Sequence, residues 1–120
     1  MYIYSFEKLE VWKESIKLAT IIYNCTKEFP NEEKFGLISQ MRRCSISISS
    51  NIAEGTARHT NKDKAHFMAI AYGSTLELLN QTIISKELGF ISDEKYKIIR
   101  FEIESITNKI NGLRNHFIKT

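Results

Sequence analysis

From Tyr96 to Phe117 the chain places apolar residues at alternating steps of three and four: Tyr96, Ile99, Ile103, Ile106, Ile110, Leu113 and Phe117. A seam with that period belongs to a long helix laid along other helices. The rest of the sequence agrees with a helical fold. A single Pro and five Gly leave little material for the many tight turns of an all-β fold, and no Pro- or Ser-rich linker divides the 120 residues. We therefore expect an all-α fold, an antiparallel up-down-up-down four-helix bundle forming a single domain over residues 1–120.

The punctuation sets the helices. Phe29-Pro30-Asn31 closes one periodic run, and Asn31, with Glu32 and Glu33 behind it, offers an N-cap and an acidic first turn to the next. Thr60-Asn61-Lys62-Asp63 is a capping-box-like start to a third. Gly89 supplies a left-handed stop, and Ser92 followed by Asp93 and Glu94 opens a fourth. Helices are expected at about 6–28, 32–57, 61–88 and 93–118.

Two of these helices carry more apolar surface than one small core can use. In the first, Leu9, Trp12, Ile16, Ala19, Tyr23 and Thr26 form one stripe, and Val11, Leu18, Ile22, Cys25 and Phe29 form another, well rotated from it. In the third, Glu77 is the only formally charged residue from Phe67 to Ser85, with Phe67, Ile70, Ala71, Ser74 and Leu78 on one side and Tyr72, Leu76, Leu79 and Ile83 nearly opposite. A helix apolar on both sides is covered on both sides, so a homo-oligomer with these two helices in its interface is expected.

Residues 44–58, CSISISSNIAEGTAR, alternate apolar and polar at first as a half-buried strand would. Laid on a helix, Leu37, Met41, Cys44, Ile48, Ile52 and Gly55 fall on one stripe instead, beside a polar seam of Gln40, Arg43, Ser47, Ser50, Asn51, Glu54 and Arg58. Ile46 and Ala53 point a third way. Ser and Asn are mediocre helix formers, so packing and side-chain hydrogen bonds must hold this helix.

The composition narrows the chemistry. A net charge of +3 and a pI near 8.9 permit contact with nucleic acid without demanding it. Cys25 and Cys44 have neither short-range spacing nor the partners of a zinc site, and read as reduced thiols of a cytoplasmic protein. Glu7 and Glu10 come before any long apolar run, so neither a signal peptide nor a membrane span is expected. Glu54 and Glu77 lack an accompanying nucleophile, the Glu-x-x-His of di-iron bundles is absent, and His59, His66 and His116 have no mutual metal spacing. No enzyme activity, catalytic residue, metal or cofactor is expected. Basic residues do gather. Arg58, His59, Lys62, Lys64 and His66 surround the turn between the second and third helices with only Asp63 opposing, Arg42 and Arg43 lie nearer the start of the second helix, and Lys109, Arg114 and Lys119 form an end without acids. Arg42, Arg43, Arg58, Lys62 and Lys64 are the candidate nucleic-acid contacts.

Four stretches together carry a resemblance: LISQMRRCSISISSNIAEGTAR, FMAIAYGSTLELL, FEKLEVWKESIKL and LGFIS. Their most specific elements are Ser-Ile-x-x-Asn-Ile-Ala-Glu-Gly at Ser47 to Gly55 and Ala-x-Gly-Ser-x-x-Glu at Ala71 to Glu77. Over nearly its whole length the chain resembles the four-helix-bundle family of 23S rRNA intervening-sequence proteins. The resemblance implies a bacterial bundle assembled as a ring, typically a pentamer, with some members encoded in insertions within the large-subunit rRNA gene. A related branch, the accessory variability proteins of diversity-generating retroelements, is implied to be a basic pentamer that binds nucleic acid and a reverse transcriptase. The present chain is far less basic than that branch.

Carried over by motif, the resemblance singles out Asn51, Glu54, Gly55, Gly73, Ser74 and Glu77. Either these line a ligand pocket, or they form an internal network in which Glu54 and Glu77 pair with Arg42, Arg43 or Asn51 while Gly73 and Ser74 let two backbones approach. The network is the favoured reading. The function expected is non-enzymatic binding of structured RNA or other nucleic acid by an oligomer. The alternative is a protein-protein adaptor or scaffold without a nucleic-acid role. Reversing the charge of Arg58, Lys62 and Lys64 should abolish the first activity and spare the second.

Overall fold

Thr60 Oγ1 accepts a hydrogen bond from the Asp63 backbone N–H at 3.1 Å, and Ser92 Oγ accepts one from Lys95 N–H at 3.1 Å. These hydroxyls satisfy donors that a helix leaves orphaned at its start. Gly89, at φ +80°, ends the preceding helix. The Phe90 N–H donates to Ser85 O and the Gly89 N–H to Lys86 O, both at 2.9 Å, which is the Schellman pairing that a left-handed glycine allows.

The computed structural model describes residues 1–119. Its helices are α1 (Glu10–Thr26), α2 (Leu37–Thr56), α3 (Asn61–Glu87) and α4 (Asp93–Lys119), with 3-10 turns at Ser5–Lys8 and Asn31–Glu33 and no strand among the described residues. Two starts differ from expectation. Leu9, extended at φ −77° and ψ 128°, separates the Ser5–Lys8 turn from α1 and leaves the Phe6 ring edge-on to Trp12 at 5.1 Å. Asn31 does not cap α2. It opens the short turn, Gly36 breaks the helical path at ψ −114°, and the Glu33 carboxylate accepts from the Leu37 N–H at 3.2 Å.

Each helix packs against two others, α1 on α2 and α4 and α3 on the same two, so the four stand around one core. Across α2 and α3, Met41 meets Ser85, Cys44 meets Glu77, Ser47 meets Ser74, and Gly55 faces Phe67 and Met68. Partner numbers fall along α3 as they rise along α2. The same holds for α1 and α4, where Glu14 meets Lys109 and Lys17 meets Glu102.

The seam of α4 supplies Ile99, Ile103, Ile106 and Ile110 to the core, where they meet Val11, Leu18 and Ile22 of α1, Met41, Ile48 and Ile52 of α2, and Met68 and Leu78 of α3. Interleaved with them are buried hydroxyls. Ser15, Thr26, Ser45, Ser49, Thr75, Thr82 and Ser85 each donate to a carbonyl three or four residues back on their own helix. Such self-satisfied small side chains can be buried without an orphaned donor, and they let helices approach closely. No helix among the described residues is long and apolar enough to cross a membrane.

Candidate nucleic-acid interface

Ser47 of α2 faces α3. Ser47 and Ser74 share a hydrogen bond of 2.9 Å between their hydroxyls, and Asn51 Nδ2 donates to Ser47 O at 2.8 Å and to its Oγ at 3.1 Å. Cys44 Sγ donates to Ser74 O at 3.0 Å and to Glu77 Oε2 at 3.4 Å. Burial, together with the charge and hydrogen bond of Glu77, pushes the Cys44 thiol up to about 12, so it stays protonated and is no nucleophile at neutral pH.

The motif residues thus divide. Asn51, Ser74 and Glu77 join one polar seam, in which Glu77 is tied to Cys44 rather than to Arg42 or Arg43. Glu54 stands outside the seam, its side chain 60% exposed, 3.8 Å from Arg58 one turn on. Close approach of backbones occurs at Gly55, where an added Cβ would lie 2.7 Å from Phe67 Cβ and 2.8 Å from Met68 Cε. Gly73 is exposed and a Cβ there would meet nothing within 4 Å. The seam therefore reads as helix-pairing chemistry, in which hydroxyl, amide and thiol fix the register of α2 on α3.

The basic residues also divide. Arg42 lies on the second turn of α2 while Arg58 follows the helix's last residue, Thr56, so the two belong to opposite ends of α2, roughly 20 Å apart along its axis. Arg58 is partly committed, lying near Glu54 and over the Phe67 ring at 4.5 Å. Lys64 lies over the Phe117 ring at 5.7 Å. Lys62 reaches a concave surface at the α3–α4 end. It lines a cleft of about 550 Å³ between the start of α3 and the end of α4, with Asn61, Ala65, His66, Ala69, Arg114, Phe117 and Ile118.

That cleft gathers Lys62, His66 and Arg114 over an apolar floor, and no carboxylate lines it among the described residues. Neither Lys62 nor Arg114 has an ion-pair partner among those residues. Cations gathered in a concave site that no described carboxylate lines favour a phosphate oxygen. The sequence pointed to the Arg58–His66 turn and, separately, to Arg114. Lys62 and His66 meet Arg114 because the start of α3 lies beside the end of α4, where Lys64 also stands over the Phe117 ring. The role of Phe117 as floor was missed, because it falls on the heptad seam and reads as core.

Among the described residues no group of three or more His, Cys, Asp or Glu side chains could hold a metal ion. A small all-helical bundle with a polar pairing seam and a basic cleft at one end is the class of protein that these features define. The model of the family described as 23S rRNA-intervening sequence protein matches residues 7–112, and the chain belongs to that family. It is also similar to a crystal structure from Bacteroides thetaiotaomicron, a protein of unknown function from the S23 ribosomal protein family. The two share 25% identity with a TM-score of 0.80, covering 87% of this chain and 97% of the other. No curated protein matches the chain.

Proposed function

We propose that this protein is a non-enzymatic, homo-oligomeric cytoplasmic bundle that binds structured RNA or another nucleic acid through basic clefts repeated in each subunit. The observation that carries the reading is the α3–α4 cleft, where Lys62, His66 and Arg114 line one surface and no carboxylate among the described residues does. Nothing there resembles a base-reading helix or sheet, so phosphate and shape lead the recognition. A pentameric ring, as in the family resemblance, multiplies a weak contact, because one long polyanion meets several clefts at once.

The oligomer itself is supported by apolar side chains that the single chain leaves exposed. Ile16 and Tyr23 on α1 and Ile70, Leu76, Ile83 and Ile84 on α3 stand outside the core. The same surfaces favour a second reading, an adaptor whose partner is another protein. Fluorescence anisotropy with a structured rRNA fragment and a duplex DNA of equal length separates the two. Lys62→Glu with Arg114→Glu is expected to weaken binding to both ligands at least tenfold. Unchanged binding in that variant would remove the cleft from the account, and absence of binding by the parent protein at low salt would leave the adaptor reading.

A further inference from the structure

A second concave surface lies toward the other end of α2, on its α1 side. This cleft of about 490 Å³ is lined by Tyr23 of α1, by Lys34 and Phe35 of the connection, and by Ile38, Arg42 and Arg43 of α2, among others. Its chemistry differs from that of the α3–α4 cleft because its aromatic surface is open. The Phe35 side chain is 87% exposed, where a residue of that size in a connecting turn gains nothing from the core.

One of the cations around it is held in place. Arg42 Nε donates to Thr26 Oγ1 at 2.9 Å and its Nη2 to Tyr23 O at 3.3 Å, while the guanidinium lies over the Tyr23 ring at 4.6 Å. Three contacts to α1 fix this side chain before any ligand arrives, and Nη1 stays available. Arg43 has no hydrogen-bond or ion-pair partner among the described residues, and Lys34 stands 5.6 Å from the Phe35 ring centre. No carboxylate lines the cleft among those residues, and the Glu33 carboxylate on the connection accepts from the Leu37 N–H.

We infer that this cleft is a subsite for an unpaired nucleotide, with the base against Phe35 and its flanking phosphates on Arg42, Arg43 and Lys34. Aromatic faces beside cations are how proteins hold single-stranded nucleic acid, since every base has a face to stack and every linkage a charge. A duplex, its bases stacked on each other, offers nothing to Phe35. The inference rests on the nucleic-acid reading above and sharpens it. The α3–α4 cleft takes phosphate from any strand, whereas the α1–α2 cleft selects a loop, bulge or end.

The test compares a single-stranded RNA of about twelve nucleotides with a duplex of equal charge, using parent protein, Phe35→Ala and Arg43→Gln. Phe35→Ala removes an exposed ring and should leave folding intact. It is expected to weaken single-strand binding about tenfold with an unchanged salt slope, and to leave duplex binding as it was. Arg43→Gln should lower the single-strand salt slope by about 1. If Phe35→Ala binds both ligands as the parent does, the inference is overturned while the proposed function stands. If the parent binds neither ligand, both fall. If Phe35→Ala changes the oligomer's mass but not its affinity, the cleft is a subunit contact and the inference is again overturned.

Discussion

Gly55 and Gly73 sit in adjacent helices and carry opposite consequences for the same substitution. At Gly55 an added methyl meets Phe67 Cβ, one bond from the α3 backbone, so no side-chain rotation relieves it and the helices must part. Overpacking of that kind costs about 1–3 kcal/mol, against roughly 1 kcal/mol gained in helix propensity. Gly55→Ala is therefore expected to be net destabilising by up to about 2 kcal/mol. At Gly73 the methyl meets nothing, and Gly73→Ala should stabilise the protomer by about 0.5–1 kcal/mol. Urea titrations read both, as shifts of midpoint in opposite directions at constant slope. A stabilised Gly55→Ala would mean that α2 and α3 do not approach as described.

At the scale of elements, α1 and α4 are joined by a charged cluster. Lys109 and Ser105 donate to the two oxygens of Glu14, and Lys17 lies 3.0 Å from Glu102. Burial pushes the Glu14 carboxyl up, but the hydrogen bonds from Lys109 and Ser105 and the charges of Lys109 and Lys17 outweigh it, so it lies below its ordinary 4.5. A carboxylate held lower when folded adds stability that is complete above 4.5 and is lost as pH falls through its folded value. Glu14→Gln is expected to be less stable than the parent at neutral pH, with the difference closing as pH falls below 4.5 and through the lowered folded value. A difference independent of pH would place the effect in packing instead.

Elements were also the scale at which the sequence was most legible. The α4 seam, the Thr60 and Ser92 caps and the Gly89 stop are local signals, and each is used as local chemistry directs. The start of α2 was not legible, because Asn31 with two acids behind it makes a good local cap, and only the Gly36 backbone turns the chain before the helix begins. The candidate site was legible as residues rather than as a place. Arg42 and Lys62 look alike as basic letters, yet one is stacked on Tyr23 and the other faces a cleft that it shares with Arg114, far from it in sequence. Gly73, read as a point of close approach, lies on the outer surface of α3.

For the whole molecule, what matters is how many cationic clefts one polyanion meets. A single α3–α4 cleft offers Lys62, Arg114 and, when protonated, His66. Three such contacts limit the slope of log K against log salt to about −2.7 on a duplex, so a steeper slope requires further cations, and repeated subunits supply them. The most direct test is to measure the oligomer's mass and, on the same sample, the salt dependence of its affinity for a long duplex that exposes no unpaired bases. The account predicts an oligomer and a slope of about −5 or steeper, falling toward zero when Lys62 and Arg114 are reversed to Glu. A monomer, or a binding constant that does not respond to salt, would contradict it.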